Sequence, residues 1–203
     1  MPQTDIRPRQ IHRFAIRLVV FAALLLAVAH LFESRLVTPL LPVFGWTLEH
    51  ADPRFRVDDI QIERQKTGSV IQFKVSPVRV LVFGDLVVTP AAGRFMTPST
   101  LVGSALQPVI LLLAIVMAWP ATSLGALAVR LAVSLPAVVV LIVLNVPLAI
   151  AGHMLDVREY LPGGPVAPLV YWNDFLQTGG ALVLAIGSAA LVLAADRAVR
   201  CRR

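Results

Sequence analysis

Cysteine is almost absent from this chain: Cys201, in "RAVRCRR", is the only one. A single thiol excludes an intramolecular disulfide and any cysteine-rich metal site. It is read as a bystander, with palmitoylation beside a membrane as the alternative. Charge is scarce as well, at 15% of residues, while 57% are hydrophobic. Soluble domains run nearer about 25% charged and 45–50% apolar. Catalytic signatures are missing too. There is no phosphate-cradling glycine loop, no HExxH, no GxSxG and no His–Cys–carboxylate cluster. Ser99, Thr100 and Ser104 have no base at suitable spacing. No cofactor and no metal site are expected, and no internal repeat of the transporter kind is visible.

What the chain does have is long apolar runs. A membrane-crossing helix needs about 20 such residues, and four stretches qualify, at roughly 14–33, 101–120, 131–152 and 175–195. Pro108, Pro136 and Pro147 fall inside them. Prolines are tolerated in membrane helices where neighbours satisfy the freed carbonyls. No acid or base lies near the middle of any run, and Arg17 and Arg130 sit at run ends, where they can snorkel. This argues against an ion pump or a carrier of charged substrates. The amides Gln107 and Asn145 read as interhelical hydrogen-bonding groups.

The formal charge of +6 suggests nucleic acid or acidic lipid until it is placed along the chain. Arg7, Arg9, Arg13, Arg17, Arg130, Arg197, Arg200, Arg202 and Arg203 fall on one side with Asp5 and Asp196, about +7; the rest is about −1. The basic side is expected to be cytoplasmic. Both termini are then inside and four helices cross a bacterial inner membrane, with no nucleic-acid partner. A signal peptide ending at "AVA" (27–29) is the rival reading of the first run. The apolar run continues through Leu31 and Phe32, which favours an uncleaved anchor.

One region breaks the apolar pattern. "DDIQIERQKTGSVIQFKVSPVRVLVF" (58–83) alternates polar and apolar residues, the signature of a half-buried strand. A turn centred between Lys66 and Thr67 sets Ile62 opposite Ile71 and Ile60 opposite Phe73. The same register sets Gln61 opposite Gln72 and Asp59 opposite Lys74, so both faces agree. "VRVLVF" (78–83) is expected as a third strand. The preceding segment, 34–50, reads as an interfacial extension of the first helix, with Pro39 and Pro42 opposing a long regular helix and Trp46 at the lipid boundary. Tyr160, Tyr171 and Trp172 fit the same boundary.

The expected fold is therefore a mainly α membrane protein: four transmembrane helices with an external antiparallel β-unit of about three strands between the first two. Its parts are a basic N-terminus with helix 1 (1–33), an external β-unit (34–97), helices 2 and 3 (98–152), an external loop (153–174), and helix 4 with a basic tail (175–203). The apolar face of the hairpin, with Ile60, Ile62, Ile71, Phe73 and Val80, is the candidate docking surface. His30, His153 and Asp156 are polar candidates near outer span ends, and would be the site if the chain were a membrane enzyme or permease component. The expected partners are the lipid bilayer and a membrane or exported protein.

The stretches "VDDIQIERQ", "VIQFKVSPVRVLVFGDLVV" and "YWNDFLQTGGALVL", in this order of parts, resemble the small membrane proteins that accompany exosortases, in particular the exosortase H-associated type. The likeness covers the layout of most of the chain and includes no catalytic motif. It implies an accessory role in a bacterial system that processes C-terminal sorting signals on exported proteins. Exosortases use an external Cys, Arg and His. Cys201 falls in the tail read as cytoplasmic, so the protease chemistry is not implied here.

Overall fold

The computed structural model describes residues 8–65, 68–83, 86–88, 96–121, 123–156 and 167–201. It is mainly helical, with three helical stretches long and apolar enough to cross a membrane, and it carries a small three-stranded antiparallel sheet. The chain falls into two units: residues 1–31, 107–141 and 182–203 form one, residues 32–106 and 142–181 the other.

Helix α1 (Pro8–Val37) is 30 residues long, or about 45 Å, ample for a hydrocarbon core of about 30 Å. Phe32 departs from helical geometry and kinks it. A 3-10 turn at Thr38–Leu40 follows, and then a regular helix, α2 (Leu41–Ala51). As Pro39 and Pro42 led one to expect, no long regular helix runs through here; each proline occupies a first-turn position, where a missing N–H costs nothing. The prolines interrupt the helix and restart it.

Helix α3 (Val102–Ala118) has only 17 residues and falls short of the other three. From Pro108 to Trp119 no residue is exposed, as suits a helix that is apolar all round. Helix α4 (Leu124–Met154) starts seven residues before the expected span. Ser123 caps it, its Oγ accepting the Ala126 N–H at 3.1 Å. Arg130, expected at a run end, lies two turns inside this helix. The last helical stretch runs through α5 (Pro168–Phe175), a π-helical segment at Leu176–Gly180, and α6 (Ala181–Cys201).

Strands β1 (Phe55–Gln65) and β2 (Gly68–Pro77) form the expected hairpin, with Ile62↔Ile71, Ile60↔Phe73, Gln61↔Gln72 and Asp59↔Lys74 as partners. The turn residues 66–67 lie outside the described residues. Gly68 leaves the turn at φ 131°, a conformation other residues rarely adopt. A bulge between Val57 and Asp59, with Asp58 as the extra residue, was not foreseen. The third strand is a correction. Residues 81–83 (β3, Leu81–Phe83) pair with β4 (Leu86–Val88) in a separate ladder. The sheet's third member is β5 (Ser99–Leu101), beside β2, so the order is β1-β2-β5. The space that 78–83 would need on β2 is taken by Met96, Pro98 and β5.

Candidate functional site

The sheet sits on α2. Phe44 and Leu48, four apart and therefore on one helical face, are buried with Ile71, Phe73 and Val75. Gly45 allows the close approach: a Cβ there would stand 3.3 Å from Ile60 Cδ1 and 3.8 Å from Val57 Cγ1. The joint from α2 into β1 is held by Asp52. Its carboxylate takes Arg54 Nε at 2.8 Å, Arg54 Nη2 at 2.6 Å and the Arg54 backbone N–H at 3.1 Å. This bonding to Asp52 holds the Arg54 guanidinium above its ordinary pKa against the opposing effect of burial.

The five residues singled out for docking therefore fare differently. Ile71 and Phe73 are fully buried within the unit. Ile60 and Ile62 are half-buried. Val80 is exposed and lies between the two β-ladders.

Among the described residues the ladder leaves one edge open. Phe73 N–H donates to Pro98 O and Val75 N–H to Met96 O, both at 3.0 Å and both away from β1. In an antiparallel pair, opposed residues point their backbone groups either at each other or both away. Ile60, opposite Phe73, therefore turns its N–H and C=O to the free side of β1, and by alternation so do Ile62 and Arg64. Val57 N–H faces that way too, but Glu49 Oε1 accepts it at 3.0 Å. At the Ile60 end of this edge lies an open groove of about 520 Å³, lined by one stripe of α2 and the turn before it (Thr38, Leu41, Pro42, Gly45, Trp46, Glu49) and by Val57–Ile60.

The groove's carboxylates are not alike. Asp58 accepts the Ser76 hydroxyl and Arg56 Nη2 at 3.0 Å. The Ser76 hydrogen bond, with Arg56 behind it, lowers the Asp58 pKa. Asp59 lies 3.7 Å from Lys74 Nζ. Among the described residues Glu49 forms no ion pair, and its one recorded donor is the neutral Val57 amide.

The remaining polar candidates stand at the end of α4 and on α1. His153 ends α4 in an exposed position and Asp156 follows it half-buried. His30 is exposed on α1. Among the described residues no group of three or more His, Cys, Asp or Glu could hold a metal ion. The Trp172 indole N–H donates to Leu144 O on α4 at 3.0 Å. Gly152 lets α5 come close, since a Cβ there would overlap the Leu169 carbonyl. Asn145 does act between helices. Its Nδ2 donates to Ser104 O at 3.3 Å, the carbonyl that Pro108 leaves without its helical donor.

Sequence reasoning missed the strongest polar cluster, which lies in the other unit. Arg130 does not snorkel; it is almost sealed from solvent. Nε and Nη2 donate to Asp196 Oδ2 at 3.1 and 3.0 Å. Nη1 donates to Trp119 O at 2.9 Å and Val116 O at 3.3 Å, and Nη2 to Pro120 O at 3.3 Å. Arg130 thus ties the last carbonyls of α3 to α6. Trp119 is flanked by the Phe14 ring at 5.7 Å and the Arg197 guanidinium at 5.4 Å. The only advance signal was an arginine between "GALAV" and "LAVSL" with a lone aspartate in the last helix. Every guanidinium N–H of Arg130 has an acceptor, so the chemistry of this arginine is that of a fastening.

Against family models, curated proteins and solved structures, the chain has no match.

Proposed function

We propose that this chain is a non-catalytic accessory protein of a bacterial inner membrane, which docks a partner or exported protein through its external β-unit. The observation that carries this reading is the open edge of β1 beside the α2 groove. An unpaired strand edge is a template for another chain. The resemblance in layout and in the quoted stretches makes an exosortase-type sorting system the setting.

Four crossings belong to the same reading. Helix α3 spans only about 25 Å, but from Pro108 onward it is apolar and has no exposed residue, so it need not match lipid thickness by itself. The turn into α4 is short, as in antiparallel helical neighbours. Four crossings put both termini on one side, and their arginines make that side cytoplasmic.

Two experiments test the proposal. With Cys201→Ser in place, Arg64→Cys is expected to react with a membrane-impermeant maleimide in intact spheroplasts, while the native Cys201 of the unmodified chain does not. Deleting residues 52–90 is expected to abolish crosslinking to the partner in native membranes while membrane insertion survives. Partner crosslinking that persists after the deletion would refute docking through the β-unit.

A further inference from the structure

The docking reading names a surface, and the surface restricts what can occupy it. We propose that the open edge of β1 takes an extended peptide segment carrying a lysine or arginine, whose cation sits against Glu49. The inference rests on the docking reading above.

Three features converge. First, Ile60, Ile62 and Arg64 present backbone donors and acceptors on one side, a length of about 13 Å from end to end. Only an extended chain satisfies such a row; a helix has already used its own backbone groups. Second, the groove adjoins the Ile60 end of this edge, so the side chains at that end of an added strand lie nearest the groove lining, which includes Gly45 and Trp46. Trp46 is 62% exposed, and it offers an aromatic face to apolar groups or to a cation. Third, the groove lining contains Glu49, Asp58 and Asp59 and no basic residue. Asp58 and Asp59 have cations of their own in Arg56 and Lys74. Glu49 has none among the described residues, so its charge is left for the occupant.

Glu49 also sets the position. By accepting the Val57 N–H it closes the start of the edge, and the Asp58 bulge disrupts the ladder next to it. Pairing can begin only at Ile60. A strand starting there places its first groove-facing side chains near the Glu49 end. A second copy of this chain fits poorly. Its β1 would bring another Asp58 and Asp59 to a rim that already holds three carboxylates, and like charges across an interface disfavour association.

The test uses the full chain in lipid nanodiscs and synthetic ten-residue peptides of alternating Val and Thr with one central residue varied. The lysine peptide is expected to bind about fivefold more tightly than the glutamate peptide, the scale of one exposed ion pair. That preference is expected to shrink as salt rises. N-methylating alternate amides along one edge of the lysine peptide should abolish binding, because the ladder cannot form. Glu49→Gln keeps an acceptor for the Val57 N–H and removes the charge, so it should erase the lysine preference and leave the apolar part of the binding. Equal binding of the lysine and glutamate peptides, undiminished binding of the N-methylated peptide, or a lysine preference that survives Glu49→Gln would each overturn the inference. So would a β1-to-β1 dimer trapped as a disulfide through Arg64→Cys in a Cys201→Ser background. If partner crosslinking needs residues 52–90 but the lysine preference is missing, this inference fails alone. If crosslinking survives the deletion, the docking reading beneath it has failed.

Discussion

Arg130 and Asp58 each meet an oppositely charged side chain, under opposite conditions. The Arg130–Asp196 pair has side-chain exposures of 2% and 6%, and helix-end carbonyls take the remaining guanidinium protons. The Arg56–Asp58 pair has exposures of 69% and 32%. A sealed pair is costly to assemble and more costly to break, because the survivor is a buried charge. An open pair is worth little, because water screens it and can replace either partner. The helical unit therefore uses charge as a fastening. The sheet unit keeps its charge at a rim, where a visitor can reach it.

The sharpest way to break this contrast is Asp196→Ala, which strands Arg130 inside the helices. The expected loss is about 3–5 kcal/mol, read as a lower midpoint in denaturant titration of the detergent-solubilised protein. Replacing both residues together with Arg130→Met and Asp196→Leu should recover much of that loss. The sheet has a comparable vulnerability only in its apolar core. Ile71→Ala should cost about 3 kcal/mol, visible as faster amide exchange in β1 and β2. Asn145→Leu leaves Ser104 O without its donor and should cost about 1 kcal/mol, measured in the same titration.

The smallest effect is expected at the open pair and concerns pH. The folded-state pKa of Asp58 is lowered, chiefly by the Ser76 hydroxyl. Its stabilising contribution is therefore present above the ordinary carboxylate pKa of about 3.9 and is lost as pH falls through the lower folded value. Acidification should loosen the Arg56–Ser76 end of the hairpin, seen as faster exchange of the Arg56 and Ser76 amides. Asp58→Asn should flatten that dependence, with little change at neutral pH.

The two regions also differ in how much of them could be read beforehand. The hairpin register was legible because its information is local. Two strands separated by a short turn must match apolar with apolar and Asp59 with Lys74, and one register does both. The third strand was not legible, because β5 is three residues long and merges into the apolar start of α3. Pairing it with β2 depends on where residues 78–98 carry the chain, not on any alternation of its own. The Arg130–Asp196 contact spans 66 positions. In an apolar helix, an arginine facing lipid near the headgroups and one facing a buried carboxylate have the same neighbours in sequence. The interruption after α1 was legible from Pro39 and Pro42, but the short helix that restarts there was not: a proline stops one helix and suits the first turn of the next, and composition does not distinguish the two roles.

Of the candidate site, the β-unit itself was legible and its open edge was not. Alternation identifies Ile71 and Phe73 as apolar-face residues, which is why they were singled out. That α2 shares their burial follows from Phe44, Gly45 and Leu48 standing on one helical stripe. Once that face is covered, what remains accessible is an edge, and edges leave no periodic mark in a sequence.

The most direct test of the account is photo-crosslinking in living cells, with a photoreactive amino acid in place of Arg64 on the β1 edge and, separately, in place of Leu191, exposed on α6. The account predicts a discrete crosslinked protein partner from position 64 and none from position 191. A partner band from position 191 with none from position 64 would contradict it.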